Sequence, residues 1–107
     1  MLDRQIREHG QDIALVRLVP DADDLERPHR AFVRGYRPDE MVGGLQQGDT
    51  LVTLSPTGLP PEFADTDANR LARNDLIRID GRLRNVEFVE PVRIAGRLVR
   101  MNLTVRG

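Results

Sequence analysis

The clearest pattern in this chain lies near its end. Val99, Met101, Leu103 and Val105 alternate with Arg100, Asn102, Thr104 and Arg106. A period of two over residues 98–106 predicts a strand with one buried and one wet face. Just upstream, Leu76-Ile77-Arg78-Ile79 predicts another strand, and Asp80-Gly81 is a strong hairpin signal. Residues 82–90 then read as the return strand, ended by Pro91, and Ile94-Ala95-Gly96-Arg97 reads as a second turn.

The first half is less regular. Residues 2–9 predict a short helix closed by Gly10, with Leu2 and Ile6 on one face. Residues 12–19 form a short, β-branched apolar run before Pro20, which favours a strand. Residues 20–30 are acidic and polar and contain Pro28, so they predict an exposed loop. Residues 31–36 predict a second strand. Pro38 suits the first position of a short helix, with Asp39 and Glu40 in its first turn and Gly43-Gly44 breaking it. Gly48-Asp49 introduces a strand over residues 50–54. Pro56, Gly58, Pro60 and Pro61 then predict an irregular loop over 55–62. Residues 65–73 predict a short helix, with Asp65 or Thr66 as its N-cap and Arg70 and Arg73 near its end. Together these elements predict a mainly β protein. It is a small β-barrel or sandwich of about six antiparallel strands, with one or two short helices and long loops. Its 107 residues predict a single domain over 1–107.

Size and composition narrow the function classes. A chain of 107 residues builds a thin core, so self-association would add burial. The absence of cysteine removes disulfides, thiolate nucleophiles and cysteine-bound zinc. It also suits a reducing cytoplasm. Residues 1–5 carry an early acid and no apolar stretch, so no signal peptide is expected, and no apolar run reaches membrane-spanning length. Charge is split along the chain. Residues 1–69 hold seven Arg against thirteen acids, a balance of −6, and residues 70–107 hold nine against four, a balance of +5. Such a split fits two partners of opposite sign, or copies stacking head to tail. All sixteen basic residues are Arg. A GC-rich genome explains this plainly, and Arg also suits bidentate carboxylate contacts at interfaces.

Each candidate chemistry lacks a residue it needs. Asp65, Asp67 and Asn69 match the first ligands of a calcium loop. However, Arg70 stands where the loop needs glycine and Leu76 where it needs a bidentate Glu. Asp21, Asp23 and Asp24 fail in the same way, with Glu26 and Phe32 at those positions. Gly43 to Gly48 has the spacing of a phosphate loop, but Asp49 follows where Lys is required. His9, His29 and the lone Ser55 lie in no nucleophile context, and Glu87 and Glu90 read as an ordinary strand surface. Catalysis and cofactors are therefore not expected. A nucleic-acid-binding barrel needs exposed aromatics, and Phe32 and Phe88 sit in apolar strand patterns that predict the core. Arg in the second half is also diluted by Asp75, Asp80, Glu87 and Glu90.

Four ordered pieces carry a family resemblance. They are Tyr36-Arg-Pro38-Asp-Glu-Met-Val-Gly43-Gly44, then Leu45-Gln-Gln47-Gly48-Asp49-Thr-Leu-Val-Thr-Leu-Ser55. The third runs from Asn74-Asp75 through Ile79-Asp80-Gly81 to Val86-Glu-Phe-Val89-Glu-Pro91-Val92. The last runs from Gly96-Arg97 to Val105-Arg106-Gly107. Over about residues 31–107 the chain resembles the small neck proteins of tailed phages and gene-transfer-agent-like particles. The resemblance implies a β-barrel protomer in a twelvefold ring below the portal and adaptor, a head–tail connector of the stopper or head-completion kind. It implies tail terminator or tail-tube proteins as further partners. Packaged double-stranded DNA would pass through the channel without sequence-specific contact, and a loop of each copy would serve as a gate. The implied location is the virion neck, assembled in the bacterial cytoplasm and away from any membrane. A sixfold tail terminator ring is the alternative within the class. A small nucleic-acid-binding barrel is the alternative outside it. The family carries no catalytic residues.

Residues 56–74 depart from the pattern by being long and acidic. Glu62, Asp65 and Asp67 are the candidate lumen or interface loop, where acids would repel DNA and let it slide. Arg78, Arg82, Arg84 and Arg100 are the candidate basic face between subunits.

Overall fold

Strands whose inward positions are apolar close on themselves in the computed structural model, which describes residues 2–36, 49–64, 66 and 69–107. A helix, α1 (Leu2–His9), precedes β1 (Gln11–Arg17), β2 (Leu25–Gly35), β3 (Thr50–Leu54), β4 (Leu76–Ile79), β5 (Arg82–Ile94) and β6 (Arg97–Arg106). The strands form a closed antiparallel barrel in the order β1-β2-β3-β6-β5-β4. The expected small mainly β barrel is what the chain forms, with one α-helix and a single 3₁₀ turn at Pro61–Phe63 among the described residues.

The core takes Leu15 from β1, Val52 and Leu54 from β3, Ile77 from β4, Val86 from β5, and Leu103 and Val105 from β6, all below 1% exposed. Each such side chain contributes about 1.5–3 kcal/mol relative to leaving it in water. Phe63 and Leu71, from the segment between β3 and β4, are buried in the same cluster. These two residues therefore anchor their parts of the segment in the barrel.

Both predicted hairpins are tight two-residue turns. Asp80 and Gly81 have φ of 52° and 79°, and Ala95 and Gly96 have 52° and 78°. Positive φ at both central residues matches the right-handed twist of the flanking strands. The second strand of the first hairpin does not stop at Pro91. It continues to Ile94, pairing with β6 all the way.

Two bulges change which residues face inward. Between Val86 and Phe88 the register slips by one at Glu87, and between Arg100 and Leu98 it slips at Val99. Without the first bulge Phe88 would share the inner face of Val86; with it, Phe88 stands outside and is 46% exposed. Phe32 likewise lies outside the core, half-buried, beside the fully buried Ala31. The expectation of two core phenylalanines is thus corrected, and Phe63 is the phenylalanine that fills the core. The second bulge turns Leu98 inward and leaves Val99 half-buried, so the alternation read from the sequence holds only from Met101 onward. Even there, Thr104 on the polar face is 6% exposed, with the Tyr36 hydroxyl 2.6 Å from its Oγ1.

Two further expectations are corrected. The loop predicted over 20–30 ends at Asp24, because Leu25 begins β2 and pairs along β1 from Arg17. Within the predicted helix of residues 65–73, the described residues form turns, with Thr66 Oγ1 accepting from the Asn69 N–H at 3.2 Å. The helix expected after Pro38 falls outside the described residues.

Candidate functional site

One arginine organises the end of the barrel where β1 finishes. The Arg17 guanidinium donates to both Asp75 oxygens, at 3.0 and 2.9 Å, and to the carbonyls of Glu62 and Asn69, at 2.9 and 3.1 Å. It lies over the Phe63 ring, 4.6 Å from the centroid. Asp75 also accepts from the Ala72 N–H at 2.9 Å. The hydrogen bonds to Asp75 hold the Arg17 pKa above its ordinary value; burial opposes this and the charge of Asp75 adds to it. A planar fork of fixed donors is what allows one side chain to bind a carboxylate and the carbonyls of Glu62, Asn69 and Arg70 together. The result is that Glu62, Asn69 and Asp75 are tied together across the barrel end.

A second clamp joins β6 to the entry of β3. Arg106 donates to both oxygens of Asp49 at 2.9 Å and to Glu87 at 3.0 Å. The Asp49 carboxylate is almost wholly buried. Bonding to Asp49 raises the Arg106 pKa, with desolvation opposing it and the charges of Asp49 and Glu87 adding to it. Glu87 is the bulge residue of β5, so the clamp also fixes the slip that turns Phe88 outward.

The acidic loop residues do not form an open acidic surface as far as they are described. Glu62 is paired with Arg27 of β2 through two bonds of 3.3 and 3.1 Å. Arg27, and then the Glu62 backbone N–H, hold its carboxyl below the usual carboxylate range. Asp65 and Asp67 lie outside the described residues. So does the glycine-flanked segment from Gly43 to Gly48.

The four arginines of the candidate basic face are not brought together on one surface. Arg78, on the outer wall of β4, forms a bidentate pair with Glu26 at 3.1 and 3.2 Å. Arg82 and Arg84 lie opposite Ile79 and Ile77, on the side of β5 that faces the core. Arg82 donates to the Gly107 carbonyl, and Arg84 to Thr50 Oγ1 at 3.3 Å, with its Nε buried and unbonded among the described residues. Arg100 pairs with Val92 near the far tip of the β5–β6 hairpin, at the other end of the barrel. Of the four, Arg82 and Arg100 are exposed, at opposite ends of the β5–β6 hairpin.

The catalytic candidates stay apart from any nucleophile geometry. His29 Nε2 is 3.1 Å from the Ser55 carbonyl, while Ser55 Oγ accepts from the Thr57 N–H at 3.1 Å. His9 ends α1 on an exposed turn. A cavity of about 290 Å³ lies between Ile6, Arg7, His29, Arg30, Thr57 and Gly58. Arg30 beside it is engaged with Asp12 at 2.9 Å and with the Gly10 carbonyl at 2.7 Å, which caps the C-terminal end of α1. Among the described residues no three His, Asp or Glu side chains converge on a metal-sized site. No helix among the described residues is long and apolar enough to cross a membrane.

What sequence reasoning missed is the projecting half of the last hairpin. From Phe88 to Ile94, β5 pairs with β6 alone, because β4 ends its pairing at Asn85. Phe88 is 46% and Ile94 65% exposed. The signal was present in the apolar Val89, Val92 and Ile94 on either side of Pro91. Pro91 read as a strand end, although an edge strand tolerates proline. Compared with models of known protein families and with curated proteins, the chain matches none.

Proposed function

We propose that this protein is a structural subunit of a phage-like particle, a ring-forming head–tail connector of the stopper or head-completion kind. The observation that carries the reading is the β5–β6 hairpin. A closed barrel abolishes strand edges, yet here the last hairpin runs past the closure, with neither β4 beside Phe88–Ile94 nor β3 beside Arg97–Arg100, and exposes Phe88 and Ile94. Such a feature is a liability in a monomer and an asset in an assembly. The ordered motifs over residues 31–107 supply the class. In this reading the copies form a twelvefold ring between the portal and adaptor on one side and tail terminator or tail-tube proteins on the other. Packaged DNA passes through the ring, and the protein performs no bond-making chemistry.

Particle counting by electron microscopy of the purified chain, alone and with portal and adaptor proteins, tests this. Twelvefold rings support the stopper. Sixfold rings move the assignment to the tail terminator. A protein that stays strictly monomeric with its neck partners present overturns it.

One observation favours a second reading, a small nucleic-acid-binding barrel. Phe88 stands on the outer wall opposite Thr104, which Tyr36 contacts, and exposed aromatics are what base stacking requires. Micromolar binding of short oligonucleotides at physiological salt, lost in Phe88→Ala, would favour it over the ring.

A further inference from the structure

Two exposed apolar turns carry rims of opposite charge. The first is the β1–β2 turn, where Leu18 is 59% and Val19 37% exposed. It continues into Asp21, Asp23 and Asp24, all exposed. Pro20, the φ of 60° at Asp21 and the Ala22 N–H to Val19 carbonyl bond of 3.3 Å give it the form of a type II turn. The second is the β5–β6 turn. There Ile94, 65% exposed, is flanked by the exposed Arg93, Arg97 and Arg100.

Strand direction places both turns at the same end of the barrel. β3 ends beside the β2 residues that lead back to Leu25, and β6 begins beside the end of β3. Strand order places them on opposite walls, because β1 and β2 are separated from β6 and β5 by β3 on one side and β4 on the other. The two turns therefore face different neighbours.

Resting on the ring reading above, we infer that the β5–β6 tip of one copy docks on the β1–β2 turn of the next. Ile94 covers Leu18 and Val19, and Arg97 and Arg100 meet Asp23 and Asp24. The partner is a second copy of this chain because one protomer carries both complementary halves in places that cannot meet each other. Such a contact uses different patches on its two sides, so it repeats from copy to copy and closes into a ring when the rotation allows. The opposed rims set direction and register, and the apolar centre supplies the burial.

The charge rims provide the test. The variants are Asp23→Arg with Asp24→Arg, Arg97→Glu with Arg100→Glu, and all four changes in one chain. Each is checked for an unchanged circular dichroism spectrum, since all four positions are exposed. Assembly is followed by sedimentation velocity at low salt. Each paired reversal should weaken assembly by roughly tenfold or more, because like charges then face each other across every contact. The four-change chain should regain assembly, since every contact again takes opposite rims from neighbouring copies. If the unaltered chain assembles but the reversals leave assembly unchanged, or the four-change chain is not restored, this docking is overturned and the ring reading stands. If the unaltered chain never assembles, even with portal and adaptor proteins present, the ring reading fails and takes the docking with it.

Discussion

The two halves of β5 live in different surroundings. From Arg82 to Asn85 the strand has β4 on its outer edge, and at Val86 the segment before β4 takes over. There the Asn74 N–H donates to the Val86 carbonyl at 3.0 Å and the Val86 N–H donates to the Asp75 carbonyl at 2.9 Å. Beyond the Glu87 bulge, the same strand pairs with β6 only and turns Phe88 and Ile94 to the outside. One continuous strand thus closes the barrel with its first half and extends past it with its second. The contrast teaches that strand length alone does not define the folded unit. What defines it is where both edges are satisfied and the inner face is apolar.

The sharpest way to break the contrast is to release the clamp beside the first half. Asp75→Ala removes the bidentate partner of Arg17, whose remaining charge is three-quarters buried, and loosens the turn that covers Val86. The expected loss is about 3 kcal/mol in urea unfolding, as when one partner of a buried pair is removed. Next in size is a matched pair of truncations. Val86→Ala, at a fully buried position, should cost about 2 kcal/mol. Ile94→Ala, 65% exposed, should stay within ~0.5 kcal/mol in the same measurement. Equal losses at the two sites would end the distinction between the halves. The smallest effect concerns the loop tie at Glu62. Its carboxyl is held below the ordinary value of 4.5 by Arg27. The contribution is therefore complete above about pH 4.5 and is lost as pH falls through the lowered folded value. A stability difference between the protein and Glu62→Gln should be present at pH 7 and shrink steadily below pH 4.5. A difference constant across that range would show that the ion pair contributes nothing.

Sequence and structure agree where the signal is local. The hairpin at Asp80-Gly81, the helix ending at Gly10 and the strand at residues 50–54 each follow from a few neighbouring residues. They part where a distant contact decides. Residues 25–30 looked like loop because Glu26, Arg27, His29 and Arg30 are polar and Pro28 breaks the run. In the fold, β3 pairs with β2 only from Phe32 onward, so this half of β2 has β1 on one edge and residues 55–62 nearby. Pro28 is tolerated there, and Arg27 and His29 hold Glu62 and the Ser55 carbonyl. The bulges at Glu87 and Val99 were illegible for a related reason. A one-residue slip leaves no mark on an apolar pattern, and Glu87 is fixed by Arg106, nineteen positions away. The candidate basic face dissolved because Arg content says nothing about which side of a strand each side chain takes. Arg82 and Arg84 share the side of Ile79 and Ile77, where their neighbours are carbonyl and hydroxyl groups of the chain itself.

The Arg17 clamp also has a meaning in time. Its partners lie 45 to 58 positions further along the chain. None of its bonds exists until β1 is formed and the segment ahead of β4 has returned across the barrel mouth. Contacts of such separation carry a large loop-closure cost and tend to be made after local hairpins. The clamp is then expected to close late, so Asp75→Ala should speed unfolding far more than it slows refolding in stopped-flow kinetics. Its strength governs how slowly the barrel opens once built, more than how fast it first forms.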